Sequence, residues 1–196
     1  MNRDAAWQIV TEHVKDHGLR RHMLAVEAAM RWQAPQLNGD TELWGMAGLL
    51  HDFDWEIHPT LEQHPRDGAD ILRSRSCEQE VIQAILAHNT AGTGVERQTP
   101  LDFALLACDE ITGLIIACTL VRPSKDIGDM KIKSVKKKWK DRAFAAGIDR
   151  DHVQQVTADF SSACHNGNLD LWEHIQNVLV AMQGASEILG LDGRLA

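Results

Sequence analysis

Residues 44–52 read WGMAGLLHD. An apolar run of small and branched residues ends on an imidazole, and a carboxylate follows at once. Asp40 and Thr41 stand just upstream as capping residues. The stretch therefore predicts a helix over 42–51, with Ala47 and Gly48 one turn before His51 on the face turned inward. An imidazole and a carboxylate at the inner end of an apolar helix are costly to bury unless something takes up their lone pairs and charge.

Outward from this stretch the hydrophobic period stays helical. Trp7, Val10 and Val14 mark a first helix, stopped at Gly18. Further helices are predicted over 20–34, ended by Pro35, and over 66–73, 78–88 and 132–146. Pro100 suits the first turn of a long helix reaching about residue 120. Helices over 150–163 and 169–189 close the chain, with Gly190 at the end. FDWEIHPTLEQHP (53–65) and NTAGTGVERQTP (89–100) read as loops. No segment alternates with period two, so the class is all-α. One domain over 1–196 is expected, with a core of about 15–125 and a C-terminal helical cap of about 126–196 beyond Pro123.

Composition narrows the function. The chain has 196 residues, 44% hydrophobic and 24% charged, which fits a globular fold and excludes overall disorder. A net charge of −8 argues against a nucleic-acid coat or a membrane-surface protein. The four cysteines form no CxxC pair, so neither a zinc ribbon nor a disulfide framework is expected. Charges interrupt the N-terminal segment, and the longest uncharged apolar stretch, 111–121, is too short to span a bilayer. A soluble cytoplasmic protein with reduced thiols is the expectation.

Ten histidines is a high number, and their placement matters more than their count. His22 has Leu19, Ala25 and Val26 on its helix face; His88 has Ala84 and Ile85. Asp109 is surrounded by Leu105, Leu106, Thr112 and Gly113. Singly, each inward histidine reads as a core residue bonded to a carbonyl. Jointly, three inward histidines with Asp52 and Asp109 make the donor set of a divalent transition metal.

The pattern His22, then GLLHD with His51 and Asp52, then Asp109 in LLACDEITG resembles the HD-domain metal-dependent phosphohydrolases over about 15–125. The resemblance implies an HD-like helical bundle with a C-terminal extension. It implies that His22, His51, Asp52 and Asp109 hold one ion. His64 in QHPRDGA and His88 in ILAHNT resemble the extra histidines of two-metal members, with Asp52 bridging to a second ion. His58 competes weakly with His64, and Asp54 and Glu56 are candidates for orienting the ligand histidines. His13, His17, His152, His165 and His174 carry no assigned role.

Imidazole mixed with carboxylate suits Mn, Fe, Co, Ni or Zn better than Mg. Hydrolysis by metal-activated water follows, with His51 and Asp52 at the catalytic centre. The implied substrate is a phosphomonoester or phosphoanhydride, a nucleotide or a dinucleotide; bacterial HD enzymes that split dinucleoside tetraphosphates have a similar histidine pattern. Two alternatives share the ligand set or part of it: a di-iron HD oxygenase, and a regulatory or interaction module. Neither a membrane nor a nucleic acid is expected as partner, and the sequence does not fix the oligomeric state.

The segment KIKSVKKKWKDR (131–142) holds seven basic residues and one acid. Lys133, Lys136, Lys137 and Lys140 share one helix face; Val135, Trp139 and Ala143 share another, expected to dock on the core. Lys136 and Lys137, with Arg122 and Lys125 in VRPSK, are candidates for holding substrate phosphate.

Overall fold

The structure is a computed structural model that describes residues 1–194. Its described residues are helical throughout, apart from turns and one isolated bridge between Asp126 and Asp192. Helix α1 spans Arg3–His13, α2 His17–Gln33 and α3 Thr41–Leu50. Helix α4 spans Arg66–Ser74, α5 Gln79–His88, α6 Thr90–Thr93 and α7 Pro100–Leu120. Helices α8, Ile132–Trp139, α9, Arg150–Cys164, and α10, Leu171–Gly184, complete the order.

The start sites follow the capping chemistry. The Asp40 carboxylate accepts from the amides of Glu42 and Leu43 and starts α3. Thr99 and Asp102 form a reciprocal capping box at the head of α7, with Pro100 in the first turn. Helix α7 is 21 residues long and apolar, yet it is a core helix with most of its surface covered by α2, α5, α9 and α10.

Three helices set the position of the site. The first turns of α3, α5 and α7 line one common cavity, and His51, His88 and Asp109 meet about ten residues further along each, roughly 15 Å away. The three helices therefore run side by side in one direction. Helix α2 runs back across α3, and the crossing is close: a Cβ at Gly48 would stand 2.8 Å from the backbone of Val26 and Glu27. On the other side, α10 is tied to α7 by His174. Its Nε2 donates to the Ala107 carbonyl at 2.9 Å, and its Nδ1 accepts from Gln33 at 3.3 Å. Burial of this neutral imidazole lowers its pKa to about 4. A single core cluster runs from Ala6 to Leu191 and includes Val135, Phe160 and Val178 of the C-terminal helices.

Four local expectations are corrected. Gly18 does not stop a helix but sits in the first turn of α2, because Asp16 caps that turn and Glu56 accepts from the amides of Lys15 and Asp16. The loop 89–100 contains the single turn α6, capped by Asn89. The helix expected over 132–146 ends at Trp139, so Ala143 is exposed instead of docked. There the buried guanidinium of Arg150 donates to the carbonyls of Trp139, Asp141, Phe144, Ala145 and Ile148. One side chain thus satisfies the carbonyls that a continued helix would have used internally. Finally, α10 ends at Gly184; Leu189 and Leu191 reach the core from turns.

Candidate metal centre

The six expected ligands converge. His22 comes from the first turns of α2, His51 and Asp52 follow α3, His64 precedes α4, His88 ends α5, and Asp109 lies midway along α7. His22 Nε2 is 3.2 Å from His51 Nε2 and 2.9 Å from Asp109 Oδ1. His51 Nε2 is 3.5 Å from the same Asp109 oxygen. Asp52 Oδ2 closes this group at 3.4 Å from His51 and 3.8 Å from His22. The other Asp52 oxygen, Oδ1, lies 3.2 Å from His64 Nε2 and 3.7 Å from His88 Nε2, and those two nitrogens are 3.1 Å apart. Asp52 therefore offers one oxygen to each of two donor groups.

These separations match the demands of an ion. Donors about 2.1 Å from one centre stand roughly 3.0 Å apart in octahedral and 3.4 Å apart in tetrahedral geometry. The orientation of the rings is also decided. His51 donates its Nδ1–H to the Gly48 carbonyl, His64 to Asp54 Oδ1 and His88 to the Ile85 carbonyl. Thr112 donates its hydroxyl to the Asp109 carbonyl and accepts from His22 Nδ1 at 3.2 Å. Each Nδ1 is engaged away from the centre, so each Nε2 lone pair points into it. Two pairs of imidazole nitrogens facing each other this closely, with carboxylates between them, fit two cations.

Electrostatics agree. Burial works against a charged His51, yet the Asp52 and Asp109 carboxylates outweigh it and hold its pKa well above the usual value. Burial likewise opposes charge on His64, but Asp52 and Asp54 raise it to about 9. Asp52 and Asp109 lie below the usual carboxylate range despite burial, because of His51 and the neighbouring imidazoles. A field that favours positive charge at this point favours a divalent ion there.

Asp54 is fully buried, and its contact with His64 is 2.8 Å. Gly68 makes this possible, since a Cβ there would lie 2.4 Å from Asp54 Oδ2. Asp54 thus orients a ligand histidine as its sequence position suggested. Glu56 does not; it binds the amides ahead of α2. His58 stays outside the cluster, 3.9 Å from Asp67.

The basic residues are not brought to the site. Arg122 lies beyond the end of α7, which stops about 16 Å past Asp109, and pairs with Asp129. Lys125 follows in the same turn. Helix α8 packs on α7 and α10, where Lys136 sits over the Trp172 ring at 5.0 Å. Lys137 is exposed on that helix. Among the described residues, no Lys or Arg lines the cavity over the ligands.

That cavity, about 270 Å³, has lining residues that sequence reasoning missed: Trp55, Glu110 and His152. Burial, and then Asp109, raises the Glu110 carboxyl to about 7. His152 stands in the first turn of α9, brought over α7 by packing that the periodicity of its own segment does not report. Glu110 had a usable signal: it follows Asp109 on a buried helix.

Comparison with protein-family models matches the HD domain to residues 19–113. That stretch is an HD domain, as the His22, His51–Asp52 and Asp109 pattern indicated, and it includes all six ligands. Comparison with curated proteins and with solved structures gave no match.

Proposed function

We propose that the protein is a phosphohydrolase that uses two divalent transition-metal ions, Mn, Fe, Co, Ni or Zn, to cleave a phosphate ester or anhydride of a small molecule such as a nucleotide. The carrying observation is the pair of donor groups joined by the two oxygens of Asp52. Divalent ions bound by these residues would supply a water acidic enough to attack at neutral pH and would neutralise charge on a phosphoryl group.

The chain's own residues then have distinct tasks. His22, His51 and Asp109 would hold one ion, His64 and His88 the other, and Asp52 would offer one oxygen to each. Thr112, Gly48, Asp54 and Ile85 lock the imidazoles in the donor orientation. His152 adds an imidazole to the cavity lining, available to a substrate oxygen. With no lysine or arginine in that lining, most of the substrate charge falls to the ions. Three of the four free cysteines are buried. Unpaired thiols held in a core fit the reducing, cytoplasmic setting that this reading includes.

The test is metal analysis of protein purified without added metal, followed by a phosphate-release screen on the same sample. About two ions per chain with phosphate release is the expected result. Phosphate-free turnover with oxygen consumption by an iron-loaded sample would replace this reading with the oxygenase.

A further inference from the structure

The cavity over the ligands, about 270 Å³, is small for a substrate, since small-molecule sites usually run from about 300 to 1,000 Å³. A second hollow of about 520 Å³ has the ligand His22 in its own lining. Trp55 lines both hollows. One stripe of α7 floors both: Leu106, Asp109 and Glu110 under the polar part, Gly113 and Ile116 under the other. Spacings of three and four keep these five residues on one helix face.

The second hollow is a trough with apolar walls and, among the described residues, no basic side chain other than the ligand His22. Leu19 and Trp55 stand beside Ile116 in its lining, and Trp55 keeps 37% of its surface exposed. The two acids on its rim are engaged by backbone: Asp16 accepts from Leu19, and Glu56 from Lys15 and Asp16. Among the described residues, no Lys or Arg lines it. Gly113 leaves its floor open; a Cβ there would meet only Ile148, at 3.8 Å.

We propose that this trough seats an uncharged aromatic ring of the substrate, with Trp55 as its wall and Gly113 giving the room. The substrate is then a phosphomonoester bearing an aromatic group, of the nucleoside monophosphate or aryl phosphate kind. A polyphosphate chain does not suit the trough, because a second phosphate there would meet Asp16 and Glu56 with no cation to offset them. The substrate class rests on the phosphohydrolase reading; the ring subsite is tested apart from it.

The experiment is calorimetric binding to metal-loaded protein of three probes: methylphosphonate, (1-naphthylmethyl)phosphonate and 1-naphthalenemethanol. The naphthyl phosphonate should bind about tenfold tighter than methylphosphonate, or better. Trp55→Ala and Gly113→Leu, each checked for metal content and thermal unfolding, should bring that ratio close to one. Equal affinity for the two phosphonates, or a ratio unchanged in both variants, overturns the subsite and leaves the phosphohydrolase reading standing. Binding of the naphthyl alcohol alone, lost in Gly113→Leu, keeps the subsite and removes the phosphate reading. Binding of no probe overturns both.

Discussion

Helices α3, α5 and α7 line one cavity with their first turns and another about ten residues further along, and carboxylates stand in both linings. At the N-terminal end, about 520 Å³ is lined by Asp40, Glu80, Asp102 and neighbouring glutamines. At the other end, a hollow of about half that size is lined by three acids and three histidines. The larger cavity offers little chemistry, because its key carboxylates are occupied. Asp40 accepts from two amides, and Asp102 accepts from the amides of Gln98 and Thr99 and from the Thr99 hydroxyl. At the smaller one, hydrogen bonds are made on the outer ring nitrogens, and the inner lone pairs are aimed at common points. The direction of lone pairs, more than space, separates a cap from a coordination site.

The sharpest way to break this contrast is Asp52→Ala. It should remove both ions and lower phosphate release at least about 10³-fold, measured by metal analysis and turnover on one sample. Retention of two ions would show that the bridge is not needed. Gly68→Ala is subtler, since the new methyl displaces the Asp54 carboxylate from His64. Affinity for one of the two ions should fall about 10- to 100-fold while the other is kept. Equal loss from both positions in a metal titration would remove Asp54 from its orienting task.

Between the two ends, His174 predicts a pH effect on stability. Its folded pKa is about 4, below the value of about 6.5 expected in the unfolded chain. Above that window both states are neutral and the stability is fully present. As pH falls from about 6.5 toward 4, only the unfolded state takes the proton, and stability drops by up to about 1.4 kcal/mol per pH unit. Denaturant melts across this range should show the slope, and His174→Leu should flatten it. At the N-terminal end, Asp40→Ala should cost about 1 kcal/mol in the same melts with metal content unchanged. The smallest effect is expected far from either end. Lys136→Glu with Lys137→Glu should lose only a cation–π contact of about 0.5–1 kcal/mol. A salt-dependent fall in kcat/KM for that variant would restore the basic helix as a phosphate guide.

What the sequence made legible was whatever local chemistry decides. Asp40 and Pro100 mark the starts of α3 and α7 by their own side chains, and His51, His88 and Asp109 sit on inward faces that a helical period reveals. What stayed hidden depends on distant partners. The break after Trp139 needs Arg150, and the start of α2 at His17 needs Glu56, 39 residues on. The placing of Arg122 near the ligands failed because α7 runs on to Leu120, about three turns past Asp109, and carries the following turn away from them. Trp55 and His152 belong to the site only through packing, and no spacing within their own segments announces it.

The three parallel helices also act as rulers. His51 stands eleven residues after its cap Asp40, His88 ten after Glu78, and Asp109 ten after Thr99. Deleting one residue inside any of these segments would swing its ligand by about 100° and retract it by about 1.5 Å. Insertions in the turns before the caps would leave that register untouched. In this chain, length polymorphism is tolerable between residues 93 and 98 and forbidden between 99 and 109, two adjacent stretches that look equally ordinary as text.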